Sequence, residues 1–326
     1  MISLVSLKYT NHSFDNSNYM PQNTDLKRIT YTCMNDQKDN ISFGANIRTT
    51  TSINTLLKPF KTRVENFRLK KLKQAEELKQ AKELRKAEKL LIPNIFDELP
   101  IHLDISNGDI ESLKSKLNLA KKYPDIQEEM LTKQDFMKCH PFQRAIINEE
   151  PEMAELILNS PGDRCDLVSY MLTAPNNNLK DFPLDSAIYH GLTELSKSML
   201  NKAESCSVNT LYRMLLTEQP PFHIALWKKD TEVAKLIYNT AKKEPTLLYK
   251  ILNQQVDGNT AFNIIAVTDN IEMAKLILDA DLPYLDKILN IRDSIDLRPI
   301  DRAKAEMKYW FNKALKRLEK NNAIME

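Results

Sequence analysis

The sequence predicts an all-α protein built as a solenoid of repeated helical units, and three observations predict it. Only five of 326 residues are glycine, fifteen are proline and β-branched runs are few, which argues against a sheet-rich fold. A short tetrad, of which Leu99-Pro100-Ile101-His102 and Arg298-Pro299-Ile300-Asp301 are the first and last, recurs through the last two thirds of the chain. Behind it, apolar residues return every three or four positions in successive blocks, the spacing of helices with one buried side.

Residues 1–57 are rich in Asn, Ser and Thr, with scattered aromatics such as Phe14, Tyr19, Tyr31 and Phe43 and no sustained period. Such a segment buries too little apolar surface to offset its chain entropy, so a disordered N-terminal tail is expected. Ile41-Ser42-Phe43-Gly44 stands out within it as a candidate docking segment.

Residues 58–92 change to Lys, Glu, Leu, Ala and Gln, all strong helix formers, between Pro59 and a closing Pro93. A basic charged helix of ~50 Å follows at 1.5 Å per residue. It carries twelve basic and five acidic residues, against 29 and 35 for residues 93–326. Leu or Ala falls at every third position from Leu69 to Leu90, and a period of 3 winds apolar residues round a 3.6-residue helix. That weakens a coiled-coil seam and favours a solvated spacer. A partner-binding helix is one alternative, and contact with nucleic acid or an anionic membrane is another. After Phe67 no aromatic is interleaved for base stacking, so the nucleic-acid reading rests on charge alone.

Residues 93–326 hold the repeats. The tetrads place their second positions at 100, 141, 183, 221, 261 and 299, intervals of 41, 42, 38, 40 and 38. Glu111, Glu152, Glu194, Glu232 and Glu272 open the second helix of each full unit, where the helix dipole favours negative charge. Tight-turn residues precede several of them, as in Asn107-Gly108-Asp109 and His190-Gly191. A third pattern, Met130-Leu131-Thr132, Met171-Leu172-Thr173, Met214-Leu215-Leu216, Ile251-Leu252-Asn253 and Ile288-Leu289-Asn290, predicts a short extra helix in every unit. From Arg298 the chain keeps the tetrad and then becomes a charged helix, the polar outer face that an end unit needs. Trp310 and Phe311 are expected to pack on the unit before it.

These tetrads resemble the ankyrin repeat, whose signature opening is Thr-Pro-Leu-His-x-Ala, over about residues 96–315. The resemblance implies a helical hairpin and a finger-like turn in each repeat. The 40-residue period departs from the family's 33 and implies lengthened connections, and an armadillo or HEAT-like solenoid is the structural alternative. Asp257-Gly258-Asn259 and Asp293-Ser294-Ile295-Asp296 fit the ankyrin finger.

The resemblance also implies protein recognition on the concave face, through the finger tips and the two residues that close each first helix. Those are Ser106 and Asn107, Ile147 and Asn148, Tyr189 and His190, Trp227 and Lys228, and Val267 and Thr268. Of these, Asn107, Asn148, Tyr189, His190, Trp227, Lys228 and Thr268 are the candidate partner-binding residues, with Tyr189 and Trp227 as anchors. The plainer alternative for Trp227 is burial under the long connections. The second functional reading is an adaptor whose basic helix binds nucleic acid or anionic membrane.

Nothing in the sequence calls for catalysis, a cofactor or a metal: no Gly-rich phosphate loop, no GxSxG and no HExxH occurs. His102 and His223 fill the tetrad's His slot, where the resemblance implies a bond to neighbouring backbone. Cys139 and His140 are adjacent, but neighbours in a chain seldom point at a common atom. Cys33, Cys139, Cys165 and Cys206 lack metal-ligand spacing and read as reduced thiols in a cytosol. The first residues, MISLVSLKYTNHS, hold no apolar segment of signal-peptide or membrane length. A cytoplasmic monomer is expected, and export by a non-secretory route leaves no mark readable here.

Overall fold

The computed structural model describes residues 28–33, 41–46, 53–176, 181–280 and 282–325, with side chains described from residue 62 to residue 320. The chain divides into two compact units, Met1–Gln80 and Ala81–Glu326.

In the first unit, β1 (Arg28–Cys33) and β2 (Ile41–Asn46) pair antiparallel, with Arg28 opposite Asn46 and Cys33 opposite Ile41. This corrects the tail expected over 1–57 for these two stretches. Ile29-Thr30-Tyr31-Thr32 and Ile41-Ser42-Phe43 concentrate the β-branched and aromatic residues that suit extended backbone, a local signal diluted by the polar residues around it. The rest of that expected tail up to residue 52 lies outside the described residues.

Helix α1 spans Ile53–Glu88 and takes in Leu56 and Leu57 ahead of Pro59, so it starts before the expected Lys58. Val64, Phe67, Leu69, Leu72 and Leu78 are each more than half exposed, as expected when apolar residues wind round a helix instead of forming one stripe. Its last eight residues, from Ala81, fall in the second unit. Ala87 and Leu90 are buried there, and the 3-10 turn Lys89–Leu91 packs on the first repeat.

The second unit has five three-helix repeats. They are α2 (Pro100–Asn107), α3 (Ile110–Ala120) and α4 (Pro124–Thr132); α5 (Pro141–Ile147), α6 (Pro151–Asn159) and α7 (Cys165–Thr173); α8 (Pro183–Tyr189), α9 (Thr193–Cys206) and α10 (Val208–Leu215). The series continues with α11 (Pro221–Lys228), α12 (Thr231–Lys242) and α13 (Pro245–Asn253), then α14 (Ala261–Thr268), α15 (Ile271–Leu278) and α16 (Leu285–Leu289). The closing unit is α17 (Pro299–Arg302) and α18 (Ala305–Met325). First helices pack on first helices from α2 to α17, and second helices on second helices from α3 to α18. The added third helices α4, α7 and α10 make a further row. This is a divergent ankyrin-like solenoid with a helix inserted in each connection.

Local chemistry explains the starts and stops. Proline at the first helical position is preset for the helix and has no N–H to leave unpaired, and it opens α2, α5, α8, α11 and α17. In α14, where Ala261 replaces it, Thr260 and Asn263 form a reciprocal capping box instead. Asp109, Asp230 and Asn270 cap second helices with a side-chain oxygen. The opening glutamates also bridge repeats: Lys197 pairs with Glu194 and with Glu232 of the next repeat, Lys235 with Glu272, and Lys275 with Glu306. In the second repeat that lysine slot holds Glu155, so its junction with the third lacks the pair.

The tetrad's fourth residue ties each repeat to backbone. His102 Nδ1 accepts from the Leu99 N–H at 3.2 Å and Asn263 Oδ1 from the Thr260 N–H at 3.0 Å. Gln143 Nε2 donates to the Asp181 carbonyl at 2.8 Å, and His223 Nε2 to the Gln254 carbonyl at 3.1 Å. Burial pushes His223 down to about 4, keeping it neutral. Asp185 is the odd member of this series, a buried carboxyl that meets the Phe182 N–H and the Thr217 hydroxyl.

Between repeats the chain makes a finger. Asn94, Asp135 and Asp293 each turn their side-chain oxygen back to backbone N–H groups two or four residues on. The third residue after each, Asp97, Lys138 and Asp296, takes positive φ. At the far end α18 closes the stack. Phe311 is buried edge-on to Phe262, Trp310 is partly buried beneath Lys275 and Lys313, and Arg317 donates to the Leu278 and Ala280 carbonyls that end α15.

Candidate partner-binding surface

The ends of the first helices and the finger tips lie on the same side of the repeats, and Arg144 shows the connection. On α5 its guanidinium donates to Asp135 in the finger at 3.0 Å and to Ser106 at the end of α2 at 3.3 Å, and lies 5.8 Å from the Phe136 ring. The finger tip and the helix end thus share one cation.

Six of the seven expected binding residues reach solvent. Asn107, Asn148 and Lys228 are exposed and His190 is half-buried. Tyr189 is 64% exposed and Trp227 49%, so Trp227 is not buried under the connections. Thr268 is the correction: its side chain is buried, with the hydroxyl bonded to the Ile264 carbonyl at 2.8 Å. That bond folds the short Thr268 side chain back onto its own helix, leaving the neighbouring Val267 as the exposed residue of that repeat.

The middle of the strip is held by side-chain contacts across repeats. Lys228 Nζ lies 3.8 Å from the centroid of the Tyr189 ring, a contact worth about 0.5–1 kcal/mol at such sites. His190 Nδ1 lies 2.9 Å from Glu149 of the preceding repeat, and its ring meets Tyr189 edge-on at 5.7 Å. Tyr189 is therefore ordered from both sides. Ion pairs tie other neighbours, Asp97 with Lys133 at 3.3 Å and Asp269 with Lys304 at 3.3 Å.

Sequence reasoning placed Ile295 in a finger but put no finger-tip residue among the candidate binding residues, yet the tips carry much of the exposed apolar surface: Ile95 at 92%, Phe96, Phe136, Met137 and Ile295. Leu103 on α2 adds to them. A signal was present, since each tip lies one or two residues after Asn94, Asp135 or Asp293. A large apolar residue in a tight surface turn has no packing reason to be there.

The Cys139-His140 pair does not assemble a nucleophile and base. The Cys139 sulfur meets Asn176 Nδ2 at 3.1 Å, and burial pushes the thiol up to about 11. His140 Nδ1 instead donates to the Thr132 carbonyl at 2.8 Å, and burial lowers its pKa. Among the described residues no cluster of His, Cys, Asp and Glu suits a metal ion, and no helix is long and apolar enough to cross a membrane.

No family model matches the chain, and no curated protein matches it. Solved structures do. A chain of the structure titled as the Bd0816 predatory endopeptidase from Bdellovibrio bacteriovorus in complex with immunity protein Bd3460 is 15% identical, with 69% of this chain and 99% of that one covered and a TM-score of 0.42. EF0377, titled an ankyrin repeat protein, is 18% identical over 66% and 96%, with a TM-score of 0.45. The ankyrin repeat domain of Bcl-3, titled a member of the IκB protein family, is 12% identical over 64% and 96%, with a TM-score of 0.36. The fold is identified by the repeat geometry itself.

Proposed function

We propose that this ankyrin-like solenoid is a non-catalytic recognition scaffold that binds another protein along the strip of first-helix ends and finger tips. The observation that carries the reading is the pair Tyr189 and Trp227, large aromatics in adjacent repeats that stay 64% and 49% exposed in a domain with an extensive core. A monomeric domain has no packing use for such residues, whereas interfaces concentrate their energy in buried aromatic anchors. The contacts of Lys228 and His190 hold Tyr189 in place before binding, which lowers the ordering cost of association. Asn107, Asn148, His190 and Lys228 supply the polar rim, and the tips at Phe96, Phe136 and Met137 widen the apolar centre.

The test is affinity capture with the full chain as bait, beside the Tyr189→Ala/Trp227→Ala double variant checked by circular dichroism. Each truncation should cost about 2 kcal/mol, so the double variant should bind the captured protein on the order of 1,000-fold more weakly. Its melting temperature should stay near wild type, because both rings are largely in solvent. Equal affinity of the two baits for the same protein would remove the proposed anchors.

A further inference from the structure

Cys165 is the first residue of α7 and Cys206 the last of α9, in consecutive repeats. The helices that carry them are packed together, α7 against both α9 and α10. One turn beyond Cys165, the Ser169 hydroxyl lies 2.7 Å from that of Thr210 on α10. Thr210 in turn lies 2.8 Å from the hydroxyl of Ser207, the residue that follows Cys206. Cys165 and Cys206 are thereby neighbours across this junction, and the Cys165 thiol acts directly on that of Cys206. Both are free, with Cys165 exposed and Cys206 half-buried. The spacing along the chain gives no hint of it, since 40 residues separate them.

We propose that Cys165 and Cys206 form a redox-modification site that closes to a disulfide between the second and third repeats when the protein meets a small-molecule disulfide of the glutathione type. The exposed Cys165 thiolate attacks one sulfur of the oxidant, whose S–S bond breaks and releases one thiolate. The mixed disulfide is then attacked by the Cys206 thiolate, which forms the Cys165–Cys206 bond and expels the second small thiol. Two protein thiols are oxidised, one small disulfide is reduced to two thiols, and the two protons lost by the cysteines go to the departing thiolates. Burial and the neighbouring sulfur hold Cys206 up at about 11, which makes it the slower, resolving partner. Cys139, buried and bonded to Asn176, stays out of the exchange. The bond would staple one inter-repeat junction by closing a loop of the unfolded chain, the usual origin of disulfide stabilisation.

The experiment equilibrates the full chain in mixtures of reduced and oxidised glutathione, quenches with an alkylating agent and maps the peptides. The expected result is a Cys165–Cys206 cross-link with no glutathione retained and a melting temperature several degrees higher that returns on reduction. Cys206→Ser should instead keep glutathione on Cys165, and Cys165→Ser should show neither product. Glutathione retained on Cys165 of the wild-type protein at equilibrium, or Cys165 alkylated unchanged across all mixtures, overturns the proposal.

Discussion

Asp185→Asn is expected to stabilise the protein, and by more as the pH rises. Asp185 is buried in the tetrad of the third repeat, and burial pushes its carboxyl up to about 8, with Asp181 nearby adding to the shift. The geometry agrees: the Thr217 hydroxyl gives its single proton to the Gln219 carbonyl at 2.9 Å, so its contact with Asp185 is satisfied when Asp185 brings a proton. The other oxygen, Oδ1, is buried without a hydrogen-bond partner among the described residues. In the unfolded chain the group titrates near its ordinary value, 3.8. Below that value both states are protonated and the stability contribution is intact. As pH climbs towards about 8 the unfolded state ionises while the folded state holds its proton, so wild-type stability falls across this window. Asparagine keeps the neutral shape, donates where the protonated acid donates, and does not titrate. Urea denaturation at pH 4 and pH 8 should show the two proteins similar at the lower pH and the variant ahead by ~3 kcal/mol at the higher. A constant difference at both pH values would place the effect elsewhere.

Gly258→Ala is expected to cost ~3 kcal/mol and to loosen the last repeat and its cap. Gly258 sits in the finger before α14 at φ 77°, and a Cβ there would lie 2.9 Å from the Ser294 backbone nitrogen and 3.2 Å from its Cα, in the next finger. Neither atom can yield without moving that turn, which is fixed by the bonds from Asp293 to Ile295 and Leu297. Gly191 is the control: its φ is similar at 72° but nothing lies within 4 Å of the built Cβ. Gly191→Ala should therefore show only the left-handed backbone penalty, about 1 kcal/mol. Hydrogen exchange should localise the extra loss in Gly258→Ala to α16, α17 and α18. Equal destabilisation by the two substitutions would mean that the fingers do not press on each other.

Much of the fold was legible because it repeats. The tetrad, the opening glutamates and the Met-Leu pattern each mark one helix per unit, and the structure has all three in every full repeat, including the inserted helix. A period repeated across the chain averages out local ambiguity. Where nothing repeats, the reading failed: the hairpin at 28–33 and 41–46 is two short runs in polar surroundings, and the capping role of Ala87 and Leu90 depends on a contact with the first repeat. The strip was partly legible. Tyr189 and Trp227 follow from counting along each first helix, but Thr268 fails the same count because its hydroxyl turns back to the Ile264 carbonyl and its short side chain stays buried. The finger at residues 293–296 was legible, but the tips at Ile95, Phe96, Phe136 and Met137 were missed because their turns are set by Asn94 and Asp135, whose backbone bonds become visible only once the chain is folded. Asp185 and the Cys165–Cys206 pair were invisible for a related reason. Burial and distance between repeats are three-dimensional quantities, and a single chain of letters does not state them.

Recognition through the strip can be read at one atom. The chain has two tryptophans, Trp227 on the strip and Trp310 in the cap, so incorporation of 5-fluorotryptophan gives two fluorine resonances, assigned by Trp227→Phe. Titrating the labelled protein with its captured, unlabelled partner should shift or broaden the Trp227 signal and leave Trp310, packed beneath Lys275 and Lys313, where it was. A Trp227 signal unchanged at saturating partner would contradict the account, because an anchor cannot be buried at an interface without changing the environment of its ring.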